Sequence, residues 1–275
     1  MPSILLQYDS LKTVLRYMNA NLRIHLSQRL PSIKLTEKAV PLQIDYLDYG
    51  RDYITINGTK YEISVHRNYH APMDCQDTVD FDLDASGFPM DFDNTVEEGD
   101  IKWAKTPERL VSFEEFESDS NLLMEGAQRE IYFCISILSS AQPDKKMRNI
   151  LQKSIEVSHE RIEKLKRNLL PYKWIKENQA PKYTLSLQLT VSQGDQKVIY
   201  HRPYNMRIHE GLRLLYTVLF GGRIDTIQVK KLKLFTSLLR FPENRFKLKI
   251  KSLLRGDLEE RNYEELEAII MDLWE

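Results

Sequence analysis

The dipeptide Asn57-Gly58, set between two alternating apolar segments, restricts the fold of this chain more tightly than any other feature. Tyr53-Ile54-Thr55-Ile56 precedes it and Lys60-Tyr61-Glu62-Ile63-Ser64-Val65 follows it. Asn and Gly both accept the positive φ of a type I′ turn, and that turn matches the twist of antiparallel strands. The segment therefore predicts a β-hairpin, and with it a sheet that buries one face. Pro41-Leu42-Gln43-Ile44-Asp45-Tyr46-Leu47 alternates with period two and predicts a further strand. Tyr183 to Val191 alternates cleanly as well. Gly194-Asp195 turns it into Lys197-Val198-Ile199-Tyr200, which predicts a second hairpin.

Helical patterns stand around these strands. Leu5 to Met18 sets apolar residues at three- and four-residue steps, Asn19-Ala20-Asn21 breaks the run, and Leu22 to Pro31 starts a second short helix. Two short helices with surplus apolar surface need something to bury against, either the rest of the chain or another protein. Ile33 to Val40 reads as a linking stretch. Farther on, Met124, Gln128, Ile131, Ile135 and Leu138 form one seam. Met147, Leu151, Ile155, Ser158, Ile162, Leu165 and Leu169 form another. Ala141-Gln142-Pro143-Asp144 separates the two, which predicts an antiparallel helical hairpin of coiled-coil character over 120–170. Pro171 and Pro181 bracket a connector. A helix at about 207–220 places Leu212, Leu215, Tyr216 and Leu219 on one face and ends at Gly221-Gly222.

The C-terminal region, 181–275, carries a weak repeat. After the helix, a strand runs from Thr226 to Phe235. Val229-x-x-Leu232-x-Leu234 has the form of a leucine-rich-repeat strand, and Ile250-x-x-Leu253 repeats it 21 residues later. Solenoids normally need at least three units, and only two are visible here. A last helix is expected at about 262–274. The expected class is α+β: a helical element over 1–36, then one α+β region over 37–275 with hairpins, the inserted helical pair and this C-terminal β/α part.

Charge is unevenly distributed. The net charge is −1, yet residues 74–119 hold fifteen Asp or Glu against three Lys or Arg, which leaves the remainder strongly basic. Residues 73–119 read as a long acidic loop. Lys230-Lys231-Leu232-Lys233 and Lys247-Leu248-Lys249-Ile250-Lys251 alternate cations with apolar groups, so in strand geometry one face is buried and the other is a row of cations, with Lys230, Lys231, Lys249 and Lys251 as the candidate binding residues. Such a row can track phosphates, which makes nucleic-acid binding the alternative functional expectation. No apolar run approaches the roughly 18 residues of a membrane span. Cys75 and Cys134 sit in no metal spacing, and reduced thiols fit an intracellular address, cytoplasmic or nuclear.

Local catalytic signatures are lacking. No glycine loop opens a helix, and no Gly-x-Ser-x-Gly elbow occurs. His66, His70 and Cys75 would lack a fourth zinc ligand. Asp80-x-Asp82-x-Asp84 starts like a calcium loop but has Ala85 where the turn needs glycine and Asp91 where a bidentate Glu belongs. No metal, cofactor or catalytic residue is assigned, and the expectation is a non-enzyme.

The run Tyr8-Asp9-Ser10-Leu11-x-x-Val14-Leu15-x-Tyr17-Met18-x-x-Asn21-x-Arg23-x-x-Leu26-x-x-Arg29-x-Pro31-Ser32 resembles the start of the nematode F-box C proteins, in which an F-box-like element precedes a family-specific associated region. The resemblance continues in Val40-Pro41-Leu42, in Ile54-Thr55-Ile56-Asn57-Gly58-Thr59-x-Tyr61 and in Ser86-Gly87-Phe88-Pro89. It returns in Leu170-Pro171-Tyr172, in Pro181-x-Tyr183-Thr184-x-x-Leu187-Gln188-Leu189-Thr190 and in Leu219-Phe220-Gly221-x-Arg223. It spans nearly the whole chain. It implies an adaptor that recruits a client to a cullin–RING ubiquitin ligase and docks on a Skp-type adaptor through Leu11, Val14, Leu15, Met18, Ile24 and Leu26. The client would meet the flank of the helical pair, the acidic loop or the basic strands.

Overall fold

A computed structural model describes residues 8–70, 76–84, 89–90, 101–102, 113–140, 143–223, 226–236, 238–239 and 248–254. Three short helices open the chain: α1 (Tyr8–Tyr17), α2 (Ala20–Arg29) and α3 (Pro31–Lys38). Strands β1 (Gln43–Tyr49), β2 (Tyr53–Ile56), β3 (Thr59–Tyr69) and β4 (Gln76–Val79) follow, then the two-residue strands β5 (Asp82–Leu83), β6 (Pro89–Met90) and β7 (Ile101–Lys102). Two long helices, α4 (Phe113–Ser140) and α5 (Lys145–Lys176), lead to β8 (Tyr183–Gln193), β9 (Gln196–Pro203), α6 (Ile208–Phe220), β10 (Ile227–Leu234), β11 (Leu238–Leu239) and β12 (Leu248–Leu254). The architecture is α+β. Among the described residues, no helix is long and apolar enough to cross a membrane.

One sheet of eight strands organises these elements, in the order β12-β10-β1-β2-β3-β8-β9, with β4 paired to the far end of β3. Both predicted hairpins form. Asn57 (φ 46°) and Gly58 (φ 83°) make the first turn, and Gly194 (φ 56°) opens the second. The register of β3 on β8 is unbroken from Thr59↔Gln193 to Tyr69↔Tyr183, so alternate residues keep to one face throughout. Ile54, Ile56, Ile63 and Val65 point into a core closed by Leu212, Leu215, Tyr216 and Leu219 of α6 and by Ala20 and Ile24 of α2. Helix α6 comes close to the sheet because residue 211 is glycine: a Cβ there would meet Leu187 Cδ2 at 3.0 Å and Ile63 Cδ1 at 3.3 Å. Its first turn is satisfied from a distance, since Asp82 Oδ1 accepts from the Ile208 N–H at 2.9 Å and from Tyr204 Oη at 2.8 Å.

The other end of the sheet is parallel. Strand β10 pairs with β12 in the register Val229↔Ile250 and Leu232↔Leu253, the 21-residue offset of the repeat. The missing third unit is β1, far upstream: Ile44↔Val229, Leu47↔Leu232 and Tyr49↔Leu234. Ile44-x-x-Leu47-x-Tyr49 thus repeats the same spacing. In β1 and β10 the inward positions of this pattern are all buried, and two consecutive outward residues, 45–46 and 230–231, interrupt simple alternation.

Several expectations are corrected. Ile33 to Val40 is not a linker: Pro31 starts α3 at a first-turn position where its missing N–H costs nothing. The stretch 73–119 is not one loop. Strand β4 extends the main sheet, β5 pairs with β6 and β7 with β11, and α4 begins at Phe113. The Asp80-x-Asp82-x-Asp84 run is split between tasks: Asp80 pairs with Arg51 at 3.1 Å, and Asp82 caps α6. The helical pair is antiparallel, as Lys176–Glu117 and Ser158–Glu130 contacts require. Its first seam is rotated, however. Ala127, Ile131 and Cys134 are buried while Gln128 and Ile135 face outward, because the small side chains let the helices approach. Met147 is likewise exposed, although Leu151, Ser158, Ile162 and Leu169 are buried as expected. Helix α5 also continues through Pro171, held by Trp174 packing among Tyr69 and Tyr183. The root of this pair is fastened by charge: Arg67 meets Asp77 at 2.6 Å and also Asn168, while Arg167 lies 3.5 Å from Asp77. Cys75 and the expected helix at 262–274 lie outside the described residues.

Candidate functional site: the N-terminal helices

Helices of eight to ten residues are too short to persist alone, so α1–α3 depend on tertiary contacts. The hub of those contacts is Arg23, a buried guanidinium on α2. Its Nε donates to Glu37 Oε1 at 2.8 Å, Nη1 to the carbonyls of Pro41 (2.8 Å) and Leu15 (3.4 Å), and Nη2 to the carbonyls of Glu37 (2.6 Å) and Val40. Leu15 and Glu37 lie in the last turns of α1 and α3, where backbone carbonyls lack intrahelical partners, so one side chain completes both helix ends. Arg223, just past α6, donates to the same Glu37 Oε1 at 2.7 Å and ties the trio to the body. Burial lowers the pKa of both arginines while Glu37 pulls in the opposite direction. Burial, and then the nearby Arg223, lower the Lys38 ammonium to about 8, although its Nζ stands 3.9 Å from Glu37 Oε2. Asn21 completes the attachment, donating to the Ile56 carbonyl at 2.7 Å and to Thr59 Oγ1 at 3.0 Å.

This inward fastening sorts the six predicted docking residues. Leu15 and Ile24 are buried, the latter inside the main core, and offer no surface to a partner. That corrects their assignment: apolar periodicity gives a face without saying which side of the helix is already taken. Leu11, Met18 and Leu26 are half-buried, and Val14 is exposed. Sequence reasoning passed over the most exposed members, Tyr17 (83%) and Leu35 (85%), together with Leu22 and Leu30. They form stripes: Leu11, Val14 and Tyr17 step along α1 by three, and Leu22, Leu26 and Leu30 step by four along α2 and its C-cap. Arg23, Glu37 and Arg223 were missed as well. A charged residue at an inward helical position, such as Arg23 one step from Ile24, was the available signal.

The basic strands form a second surface. An open groove of about 550 Å³ is lined by Gln43, Ile44, Gln228, Val229, Lys230, Lys249, Ile250 and Lys251. Three of the four predicted lysines meet there. Lys231 stands in the next row, registered with Tyr46 and Ser252. Lys230 is not a bare cation, since its Nζ lies 2.5 Å from Asp45 Oδ1. The neighbouring Asp48 has its pKa raised by burial, with Lys233 and Tyr46 opposing the shift. Lys233 of β10 covers the ring of Phe235, just past the end of that strand, at 4.2 Å. His66 does not join His70 in a ligand pair; it packs edge-on against His201 at 4.6 Å.

No known protein family, curated protein or solved structure matches this chain.

Proposed function

We propose that this protein is a non-catalytic interaction adaptor, a substrate-recognition subunit of a cullin–RING ligase of the SCF type, docking through α1–α3 on a Skp-type adaptor. The observation that carries this reading is the two-sidedness of the helices. Their inner side is closed by the chain's own core and charge cluster, while Val14, Tyr17, Leu22, Leu30 and Leu35 stand in solvent. Large apolar side chains gathered on one element, in excess of what a core needs, mark association surfaces. The F-box-like resemblance of residues 8–32, in which Val14 and Tyr17 are matching positions, supplies the partner's identity. The body then carries the client.

Affinity capture of a Skp-type adaptor tests the reading. The parent chain should retain the adaptor, and a Val14→Asp/Leu22→Asp/Leu35→Asp variant, altered only at exposed sites, should lose it. Equal recovery by both, or none by either, removes the ligase assignment.

A second reading, nucleic-acid binding, draws on the convergence of Lys230, Lys249 and Lys251 in one groove. Affinity would then fall steeply with salt as counterions are released. Lys→Gln changes at Lys230, Lys249 and Lys251 should flatten that dependence more than Lys231→Gln; an unchanged slope ends the reading.

A further inference from the structure

Strand β9 closes one edge of the main sheet, and its construction is unusual for an edge. All eight of its residues are exposed, including Val198 (50%), Ile199 (44%) and Tyr200 (57%). Its pairing with β8 is continuous from Gln193↔Gln196 to Ser186↔Pro203, with no bulge to twist the edge away. Among the described residues its outer side pairs with no other strand. Soluble proteins usually blunt such an edge with short strands, bulges, charges or proline. Here Lys197 and Pro203 stand toward the ends and the centre is three consecutive apolar residues. A covering strand is the simplest physical solution, and the question is whose.

Backbone parity answers part of it. In a two-residue hairpin the closing pair, Gln193 and Gln196, exchanges hydrogen bonds, and bonded pairs then recur at every second residue. Val198, Tyr200 and Arg202 therefore spend their N–H and C=O groups on β8. Lys197, Ile199 and His201 aim theirs outward. A two-fold axis through Ile199 would set Ile199 opposite itself as a doubly bonded pair and Lys197 opposite His201 as further bonded pairs. In that register Val198 faces Tyr200, and Gln196 faces Arg202. The apolar centre meets itself, and no two like-charged Lys or Arg side chains stand directly opposed. Shifting the axis by half a residue, to lie between Ile199 and Tyr200, would oppose Lys197 to Arg202 and break the bonding parity. The strand is thus complementary to its own reverse in one register.

We propose that β9 is the seam of a homodimer, in which a second copy of this chain adds its own β9 antiparallel about Ile199 and the two sheets become continuous. Closed two-fold pairing of this kind is the commonest way a chain covers a self-complementary surface. The proposal is independent of the adaptor reading, since β9 and the N-terminal helices share no contact on which it relies.

Sedimentation equilibrium of the full chain should give twice the 32.4 kDa of one copy. Ile199→Lys places like charges opposite one another at the axis and should weaken association by roughly tenfold or more. Because the site is exposed in a single copy, its circular dichroism should match the parent, and its melting should match the parent at protein concentrations low enough for both to be monomeric. Register is read by cysteines: Val198→Cys mixed with Tyr200→Cys should cross-link under oxidation, as a non-bonded pair about 4.5 Å apart allows. Either variant alone should cross-link no more than the parent. A parent that stays monomeric, with β9 left for another protein's strand, overturns the proposal. So does a dimer that is indifferent to Ile199→Lys, or one whose cysteines join in another register.

Discussion

The two places where helices are fastened to the sheet use the same chemistry but enclose it to different degrees. At the N-terminal end Glu37 lies between Arg23 and Arg223; at the root of the long helical pair Asp77 lies between Arg67 and Arg167. Glu37 is fully buried and the side chains of its arginines are 1% and 4% exposed, whereas Arg167 keeps 29% of its side chain in solvent. Desolvating charge costs several kcal/mol per ion, and only good geometry recovers it. The enclosed cluster has no route back to water when a member is lost. The open one does.

The comparison predicts unequal damage. Among the described residues, Glu37→Ala leaves Arg23 and Arg223 with backbone carbonyls only, removes the one carboxylate that balances their charge and that of Lys38, and should cost about 3–5 kcal/mol in urea unfolding. Asp77→Ala should cost less, about 1–3 kcal/mol, because Arg67 keeps Asn168 and Arg167 can turn outward. Its hydrogen exchange should rise chiefly along α4 and α5. Equal losses from the two substitutions would mean that the two clusters are enclosed alike.

A smaller effect sharpens it through pH. The unfolded chain holds the Lys38 proton to about 10.5, whereas the folded chain releases it near 8. Between those values the unfolded state binds more protons, so stability rises with pH, by on the order of 1 kcal/mol by about pH 9.5. Above that, buried tyrosines such as Tyr172 and Tyr183, whose pKa values burial raises to about 12, reverse the trend as their unfolded counterparts ionise near 10. Lys38→Met should lose the rise; if the alkaline gain survives, Lys38 is not its source. Smallest of all, Leu35→Asp should shift stability by no more than about 0.5 kcal/mol, since its side chain is 85% exposed.

What could be read in advance follows from how local the cause was. The Asn57-Gly58 hairpin and the inward face of α6 depend on neighbours in sequence, and both stand where periodicity placed them. The parallel ladder was half legible: its 21-residue repeat appears in the chain, but its third member, Ile44-x-x-Leu47, sits before every other element of the sheet. Helix α3 was hidden because its burial is polar; Thr36, Glu37 and Lys38 form its inner face, and hydrophobic periodicity does not register such residues. Two of the six docking candidates are buried in part for the same reason. Leu15 and Ile24 looked like surplus apolar surface until Arg23 and Glu37 closed over the space between helices and body. Gln128 and Ile135 were placed in a seam that Ala127 and Cys134 occupy, a rotation of one residue that side-chain size decides and spacing does not.

The lateness of Arg223 bears on how this molecule is made. A ribosome delivers α1–α3 first, but the guanidinium that locks Glu37, and the strand β10 on which β1 must lean, emerge only after α6 has been synthesised. Through most of translation the leading helices therefore have no finished body to rest on, and Leu15 and Ile24 remain available to chaperones. Nascent chains arrested with residue 223 still inside the ribosomal tunnel should be far more protease-sensitive across α1–α3 than chains from which residue 234 has emerged.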